Sequence, residues 1–303
     1  MIDVSLLILS LLTILLSAEI FTNGIEYLGR RLSLSQAVVG SILAAVGTAL
    51  PETILPFVAI LFHGGKDSDQ IGVGAILGAP FMLSTLAFFL VGLTVLIGYL
   101  RKKRPFVVEV EMESLKRDIM FFLIMYSSAI FIPLFVHKSA IFIALLLIIC
   151  YILYAFKTFR GESEEIMHVE ELHLFRVYRA LKNRFKKGAI FCADEKSVGM
   201  LPILTQVLFG LCIMIGGAHV FVTAISRLSQ HWGLDPLLFA LLVAPVATEL
   251  PEKFNSITWT LKGRDTLAIG NITGAMVFQA TFPVSLGLTF TPWQIDGIAL
   301  ISA

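Results

Sequence analysis

Eight apolar stretches, each long enough to cross a lipid bilayer, run through this sequence at 5–28, 36–62, 71–99, 119–137, 139–157, 198–228, 236–261 and 267–290. A ninth begins near Trp293 and meets the end of the sequence at Ala303, so it reads as cut short. A membrane-spanning helix needs roughly 20 apolar residues. Inside hydrocarbon every backbone N–H and C=O must be satisfied internally, which leaves helices or closed barrels. Barrel strands alternate over about 10 residues, whereas these stretches are continuous, so helices are expected. The first stretch lacks a basic start and is too long for a secretion signal. Composition agrees: 57% of residues are hydrophobic and 15% charged, against roughly 45–50% and 25% in soluble domains. A net charge of +1 excludes a basic nucleic-acid face. Cys150, Cys192 and Cys212 are too unevenly spaced for a disulfide framework or a zinc site.

Lys and Arg orient the spans. Loops 1–2, 3–4, 5–6 and 7–8 fall on one side and hold 19 of the 23 basic residues, including Arg30, Arg31, the 101–104 run, Lys116, Arg117, Lys262 and Arg264. The other side holds Lys66, Lys138 and Arg227, and Lys253 lies inside a span. The basic loops are therefore expected in the cytoplasm and the N-terminus outside, in the plasma (inner) membrane. The expected units are 1–159 with five spans, a cytoplasmic loop at 160–197, and 198–303 with the remainder. In the loop, Val169, Leu172, Phe175, Leu181 and Phe185 recur at near-helical spacing among basic residues. That pattern suits an amphipathic helix on the membrane surface, or a solvated linker. The acidic residues Glu162, Glu164 and Glu165 read as a solvated charge run.

The sequence also resembles itself at an offset of 200 residues. Between 18–52 and 218–252, 11 of 35 positions are identical, ending in Thr48/Thr248, Leu50/Leu250, Pro51/Pro251 and Glu52/Glu252. Ser35 and Asp235 are matching helix N-cap candidates, with Pro236 suited to the first turn. Gly74 and Gly78 then pair with Gly270 and Gly274 after a four-residue shift. Five spans separate the copies, so the second is inverted in the bilayer. Inverted repeats typify secondary transporters, which bind substrate near the midplane where the repeats meet. The expected fold is an all-α integral membrane, inverted-repeat secondary transporter of five-plus-five helices with its C-terminal end truncated.

The repeated strings are GTALPE at 47–52 and ATELPE at 247–252. Proline has no N–H and clashes with the carbonyl four residues back, so Pro51 and Pro251 free the carbonyls of Gly47 and Ala247. A freed carbonyl in lipid needs a partner, and a cation is one. A charge at a helix centre costs at least about 2.5–3.5 kcal/mol, and carboxylates from two inverted helices repel. A divalent cation resolves that repulsion. Ca2+ takes six to eight oxygens at about 2.3–2.6 Å, the ligand type that Glu52, Glu252, Thr48, Thr248 and the two carbonyls supply. The alternative is that Glu52 and Glu252 are protonated and hydrogen-bonded within the bundle.

These strings, each followed by a Gly-rich span (GVGAILG at 72–78, IGNITG at 269–274), resemble the two alpha repeats of the sodium/calcium exchanger family, in the cation/calcium antiporter superfamily. The resemblance implies ten helices exchanging Ca2+ for Na+ or H+ by alternating access. It implies calcium binding by Glu52 and Glu252, with Thr48 and Thr248 beside the site. The departures are Ala49 and Glu249 where the family commonly has Ser. Ala79, Leu83, Ala275 and Gln279 stand where it offers Ser and then Asn or Asp. The calcium pair is thus better preserved than the sodium positions. The inner loop is too short for the calcium-sensing domains of animal exchangers.

Glu249 is the next candidate ligand. Lys253, four residues on, can pair with it on one helix face. That pair is either a built-in charge standing in for a coupling sodium ion or a structural ion pair facing a cavity. Glu19 and His219, at matching repeat positions, could line an ion path, and Asn255, Ser256, Asn271, Thr273 and Gln279 are secondary candidates that more often glue helices together. No HExxH, P-loop or serine nucleophile motif is present, so neither an enzyme nor a cofactor is expected. The expected partners are the lipid bilayer and inorganic cations, and nothing in the sequence fixes an oligomeric state. A transport-inactive membrane protein that keeps the fold is the alternative function.

Overall fold

The computed structural model describes residues 2–32, 44–135, 140–159, 172 and 200–293. Eleven α-helices are described, named here in chain order: α1 Ile2–Arg31, α2 Ala44–Val58, α3 Lys66–Met82, α4 Phe88–Leu100, α5 Met112–Phe135, α6 Ala140–Phe159, α7 Met200–Trp232, α8 Pro236–Thr248, α9 Leu250–Leu261, α10 Asp265–Gln279 and α11 Phe282–Phe290. Five stretches are long and apolar enough to cross a bilayer: Ile2–Ile25, Lys66–Leu100, Ala140–Thr158, Met200–Trp232 and Asp265–Phe290. The protein is an integral membrane protein. The surface loop helix, Ser35 and the ninth span beyond Trp293 lie outside the described residues. Within the loop only Leu172 is described, buried against Tyr27 and Ile203.

Several spans that read as continuous are locally remodelled. α2 passes through Pro51 and Pro56 and ends in a π-helical turn, Ala59–His63. A second π turn, Leu83–Ala87, joins α3 to α4. Such turns absorb one extra residue in a helix and recur at functional positions. The seventh span breaks at Glu249, between α8 and α9, and the eighth at Ala280–Thr281, between α10 and α11. Pro251 and Pro283 each fall in the first turn of the resuming helix. There the missing N–H is one that no intrahelical partner would use. These two prolines thus begin a helix, whereas Pro51 and Pro56 are carried inside one.

Apolar packing is organised around two helix pairs. α1 runs along α7, and α3 along α8. At about 1.5 Å per residue, the 30 residues of α1 and 33 of α7 exceed a hydrocarbon core of about 30 Å. They must tilt or project beyond it. Buried Gln206 of α7 donates to Asn23 Oδ1 at 2.8 Å and to the Ile20 carbonyl at 3.0 Å, bonding the pair in its interior. Asp235 caps α8 as its residue type predicts, its Oδ1 accepting from the N–H groups of Leu237 and Leu238. α3 meets α8 at Gly74 and Gly78. A Cβ added there would sit 2.2 Å from the Leu237 carbonyl oxygen and 2.1 Å from that of Leu241. Only glycine allows this approach. On α6, Leu145, Leu146, Ile149, Ile152, Leu153 and Phe156 face outward, as a lipid-facing surface requires.

One end of the bundle is tied by a buried ion pair. Arg104, after α4, forms two bonds to Asp265 at the start of α10, at 2.9 and 2.7 Å, and also donates to the carbonyls of Thr260 and Val107. Loops 3–4 and 7–8 therefore share an end. At the opposite end Gln230 bonds Asp67, and Arg227 approaches Asp3.

Two stability outcomes follow. Gly78→Val should cost at least about 1–3 kcal/mol of overpacking, because the obstructing atom is backbone, while Gly92→Ala, with nothing within 4 Å, should be near neutral. Arg104→Ala should cost about 3–5 kcal/mol by leaving a buried carboxylate unpaired. Arg104→Lys should recover only part of this, since an ammonium cannot reproduce the two-pronged contact. Thermal unfolding of the purified protein in detergent reads both.

Candidate cation site

Glu52 lies on α2, one residue after Pro51, and is buried. Its Oε2 accepts a 2.6 Å hydrogen bond from Nε2 of Gln279, the last residue of α10. The second and eighth spans are thus joined, across 227 positions of sequence, by one bond in the protein interior. Glu52 Oε1 and Gln279 Oε1 are buried without a hydrogen-bond partner. Gly47 and Thr48 share the helix with Glu52, but the Thr48 side chain lies outside the described residues, as does that of Ala247.

The second copy of the motif is built differently. α8 ends at Thr248, whose hydroxyl donates to the Ala244 carbonyl at 3.2 Å. With its hydrogen committed, the oxygen keeps lone pairs for a cation. Glu249 occupies the break with φ −94° and ψ 6°. Glu252 falls in the first turn of α9, where the positive end of the helix dipole favours a carboxylate. Glu252 Oε2 and Glu249 Oε1 are buried without hydrogen-bond partners. Lys253 and Glu249 form the i,i+4 pair that their spacing predicts, Nζ to Oε2 at 2.9 Å, with Glu249 fully buried and Lys253 4% exposed. Nζ also donates to the Pro245 carbonyl at 3.2 Å.

The two motifs meet electrostatically. The Glu52 carboxyl interacts through space with Glu252, Glu249 and Lys253. Among the described residues, however, no three His, Cys, Asp or Glu side chains form a ready-made metal cluster. A divalent ion would need the carboxylates completed by neutral oxygens, such as those of Thr248, Gln279 and the backbone at the breaks.

The secondary candidates divide. Asn271 donates to the Glu252 carbonyl at 3.0 Å and to Ser256 Oγ at 3.1 Å, and Ser256 donates to the Ala268 carbonyl. Both stitch α9 to α10 beneath Glu252. Thr273 donates to Asp118 Oδ2 at 2.8 Å. Asn255 is exposed on α9. Glu19 and His219 are exposed on α1 and α7, and the His219 ring lies against His63 with centroids 4.0 Å apart and the ring planes tilted by 32°. Sequence reading overlooked Asp118, which accepts from Thr273, Tyr154 and Arg117 at the base of α5. Its position at the edge of an apolar run resembled an ordinary loop charge, and its partners are remote in sequence.

Comparison with known proteins identifies the family. The family model described as sodium/calcium exchanger protein matches residues 2–159 and 203–302. The inner membrane protein YrbG of Escherichia coli (strain K12) is 24% identical over 301 residues, covering 97% of this chain and 82% of that protein. The crystal structure of the H+/Ca2+ exchanger CAX superposes with a TM-score of 0.70 at 19% identity, covering 99% of this chain and 72% of that one. The sodium-calcium exchanger NCX_Mj, soaked with Na+ and Sr2+, gives 0.52 at 17% identity, covering 99% and 86%. At these identities the structural likenesses speak for the fold. The family match covers most of the chain, and on that ground the chain belongs to the sodium/calcium exchanger family.

Proposed function

We propose that this protein is a cation antiporter that exchanges Ca2+, or a related divalent cation, for Na+ or H+ by alternating access. The observation that carries the reading is the pair of buried motif carboxylates, Glu52 and Glu252, each with an oxygen that no protein donor satisfies. A buried carboxylate oxygen without a partner is costly, and a divalent ion bridging two of them removes that cost and their mutual repulsion together. The neutral ligands would come from Thr248, from Thr48 on the first-repeat helix, and from carbonyls at the motif prolines, those of Gly47 and Ala247. Gln279 holds the Glu52 carboxylate in place and offers its own Oε1.

Alternating access needs a site at the junction of two bodies that can move. The broken helices α8–α9 and α10–α11 and the π-kinked spans around α2 and α3 would form the core. The long α1–α7 pair would rock across it. Antiport also needs competing occupants of one site, which two carboxylates provide, since the divalent ion and the counter-ions neutralise the same charge. The H+/Ca2+ exchange of CAX and the sodium-calcium exchange of NCX_Mj are precedents on this fold. The loss of oxygen-bearing side chains at Ala79, Leu83 and Ala275 favours the first. The inner-membrane relative supports a plasma membrane setting. The distribution of basic residues supports cytoplasmic loops and an external N-terminus.

The absence of a ready-made three-ligand cluster among the described residues favours a second reading. In it the protein keeps the exchanger fold but no longer transports.

Uptake of radiolabelled Ca2+ into proteoliposomes under imposed H+ or Na+ gradients decides between them. Antiport predicts gradient-driven uptake that falls at least about tenfold in Glu52→Gln and in Glu252→Gln, because a hydrogen bond or ligand contact to a charged group contributes about 1.5–3 kcal/mol. Absence of flux under every imposed gradient overturns antiport in favour of the inactive reading. Gln279→Leu should weaken Ca2+ binding by roughly tenfold through the loss of the donor to Glu52, measured by calorimetric titration. Unchanged affinity would remove Gln279 from the site.

A further inference from the structure

The second repeat carries an ammonium where the first carries none. The counterpart of Lys253 at the 200-residue offset is Thr53. Six apolar residues, Leu86, Leu90, Val246, Leu250, Phe254 and Ile257, line a cavity of about 140 Å3 together with Lys253. The aliphatic stem therefore runs along apolar surface, and the polar head is turned to the break between α8 and α9. Its oxygen neighbours there are Glu249 Oε2 at 2.9 Å and the Pro245 carbonyl at 3.2 Å. One carboxylate and one carbonyl oxygen at a helix break make a cradle of hard oxygens, the kind that unwound membrane helices offer to Na+. Glu249 Oε1 remains unsatisfied on the other side of the same carboxylate, and Glu52 is within electrostatic range of both members of the pair.

We propose that the Lys253 ammonium is a tethered monovalent cation, held on Glu249 in the place a coupling Na+ would take, so that divalent transport by this protein proceeds without Na+. The inference rests on the reading of Glu52 and Glu252 as the divalent site. Three carboxylates and one ammonium leave a net charge of −2 for one divalent ion. Without the ammonium the site carries one negative charge more than that ion can neutralise. A mobile monovalent cation must then join it. A sodium ion that arrives and leaves with each cycle couples its gradient to transport, whereas a covalently held ammonium cannot leave and couples nothing.

Lys253→Met removes the tethered charge and nearly preserves the stem. Purified full-length wild type, Lys253→Met and Glu249→Gln/Lys253→Met are reconstituted, and Ca2+ uptake driven by a H+ gradient is measured with NaCl or choline chloride on both sides. The wild type should be indifferent to the choice within about twofold. Lys253→Met should lose at least about fivefold of its flux in choline and recover it in Na+. The double variant, which restores the net charge of −2, should again be indifferent. Wild-type uptake that requires Na+, or a Lys253→Met variant as indifferent as the wild type, overturns the proposal.

Thermal unfolding in detergent reads the same question without transport. Na+ should raise the Tm of Lys253→Met and leave that of the wild type and of the double variant unchanged. An equal response, or a variant unfolded in Na+ and choline alike, counts against it. The two readings fail separately: absent Ca2+ flux in the wild type overturns the antiporter, while intact flux that falls in Glu52→Gln but ignores Lys253 overturns only the tethered cation.

Discussion

A carboxylate deep in a bilayer must be compensated, and the organisation of this protein follows from how its three motif carboxylates are treated. Glu249 has an ammonium of its own, Glu52 a single amide donor, and Glu252 the first turn of a helix. None of these treatments is complete, since each carboxylate retains an oxygen without a hydrogen-bond partner. A core selected only for stability has no use for such groups, because replacing buried ions with apolar side chains is often neutral or favourable. Two of the three, Glu52 and Glu252, fall at matching positions of the two motif copies, as the proposed site for a transient cation requires.

The helix breaks make those partial compensations possible. An unbroken helix from 236 to 261 would leave Glu252 mid-helix, where the macrodipole gives it nothing. Breaking the chain at Glu249 puts an N-terminus beneath Glu252, and frees the end of α8 to offer Thr248 and its carbonyls. The eighth span repeats the device: α10 ends at Gln279, the residue that reaches Glu52. Every break costs backbone hydrogen bonds, and in a membrane that is tolerated only where the backbone is buried in protein or lines a polar path. The stitching of α9 to α10 through Asn271 and Ser256 holds the two broken spans together at the point where they would otherwise separate.

Much of this was legible in the sequence. Apolar run length gave the helical membrane fold, and the 200-residue offset gave both copies of the carboxylate motif. Residue type gave the Asp235 cap, and i,i+4 spacing gave Glu249–Lys253. These are local signals, read from residues a few positions apart or from a pattern repeated in register. What stayed hidden depends on pairings across the chain: Gln279 with Glu52, Arg104 with Asp265, Asp118 with Thr273. No single-sequence rule says which polar side chain a distant one will meet. The breaks were half visible. Proline marks a disturbance, but the same residue is carried inside α2 at Pro51 and begins a new turn of α9 at Pro251. The choice between kink and break is made by packing on each side.

That difference bears on how the two copies of the motif come to be unequal. In the first repeat, Ala49, Ala79 and Leu83 remove oxygens, and α2 runs through its proline as one helix. In the second, Glu249, Lys253 and Gln279 add charge and hydrogen-bonding capacity, and both core spans are broken. The electrostatic elaboration is therefore concentrated on α8–α10, and the first repeat contributes one carboxylate held from across the interface. Gly74 and Gly78 let α3 lie directly on the α8 backbone, so at these two points the elaborated half is seated on the plainer one with no side chain between them. Movement of one half against the other would then be felt at once by the Gln279–Glu52 bond, which joins the two halves at the motif itself.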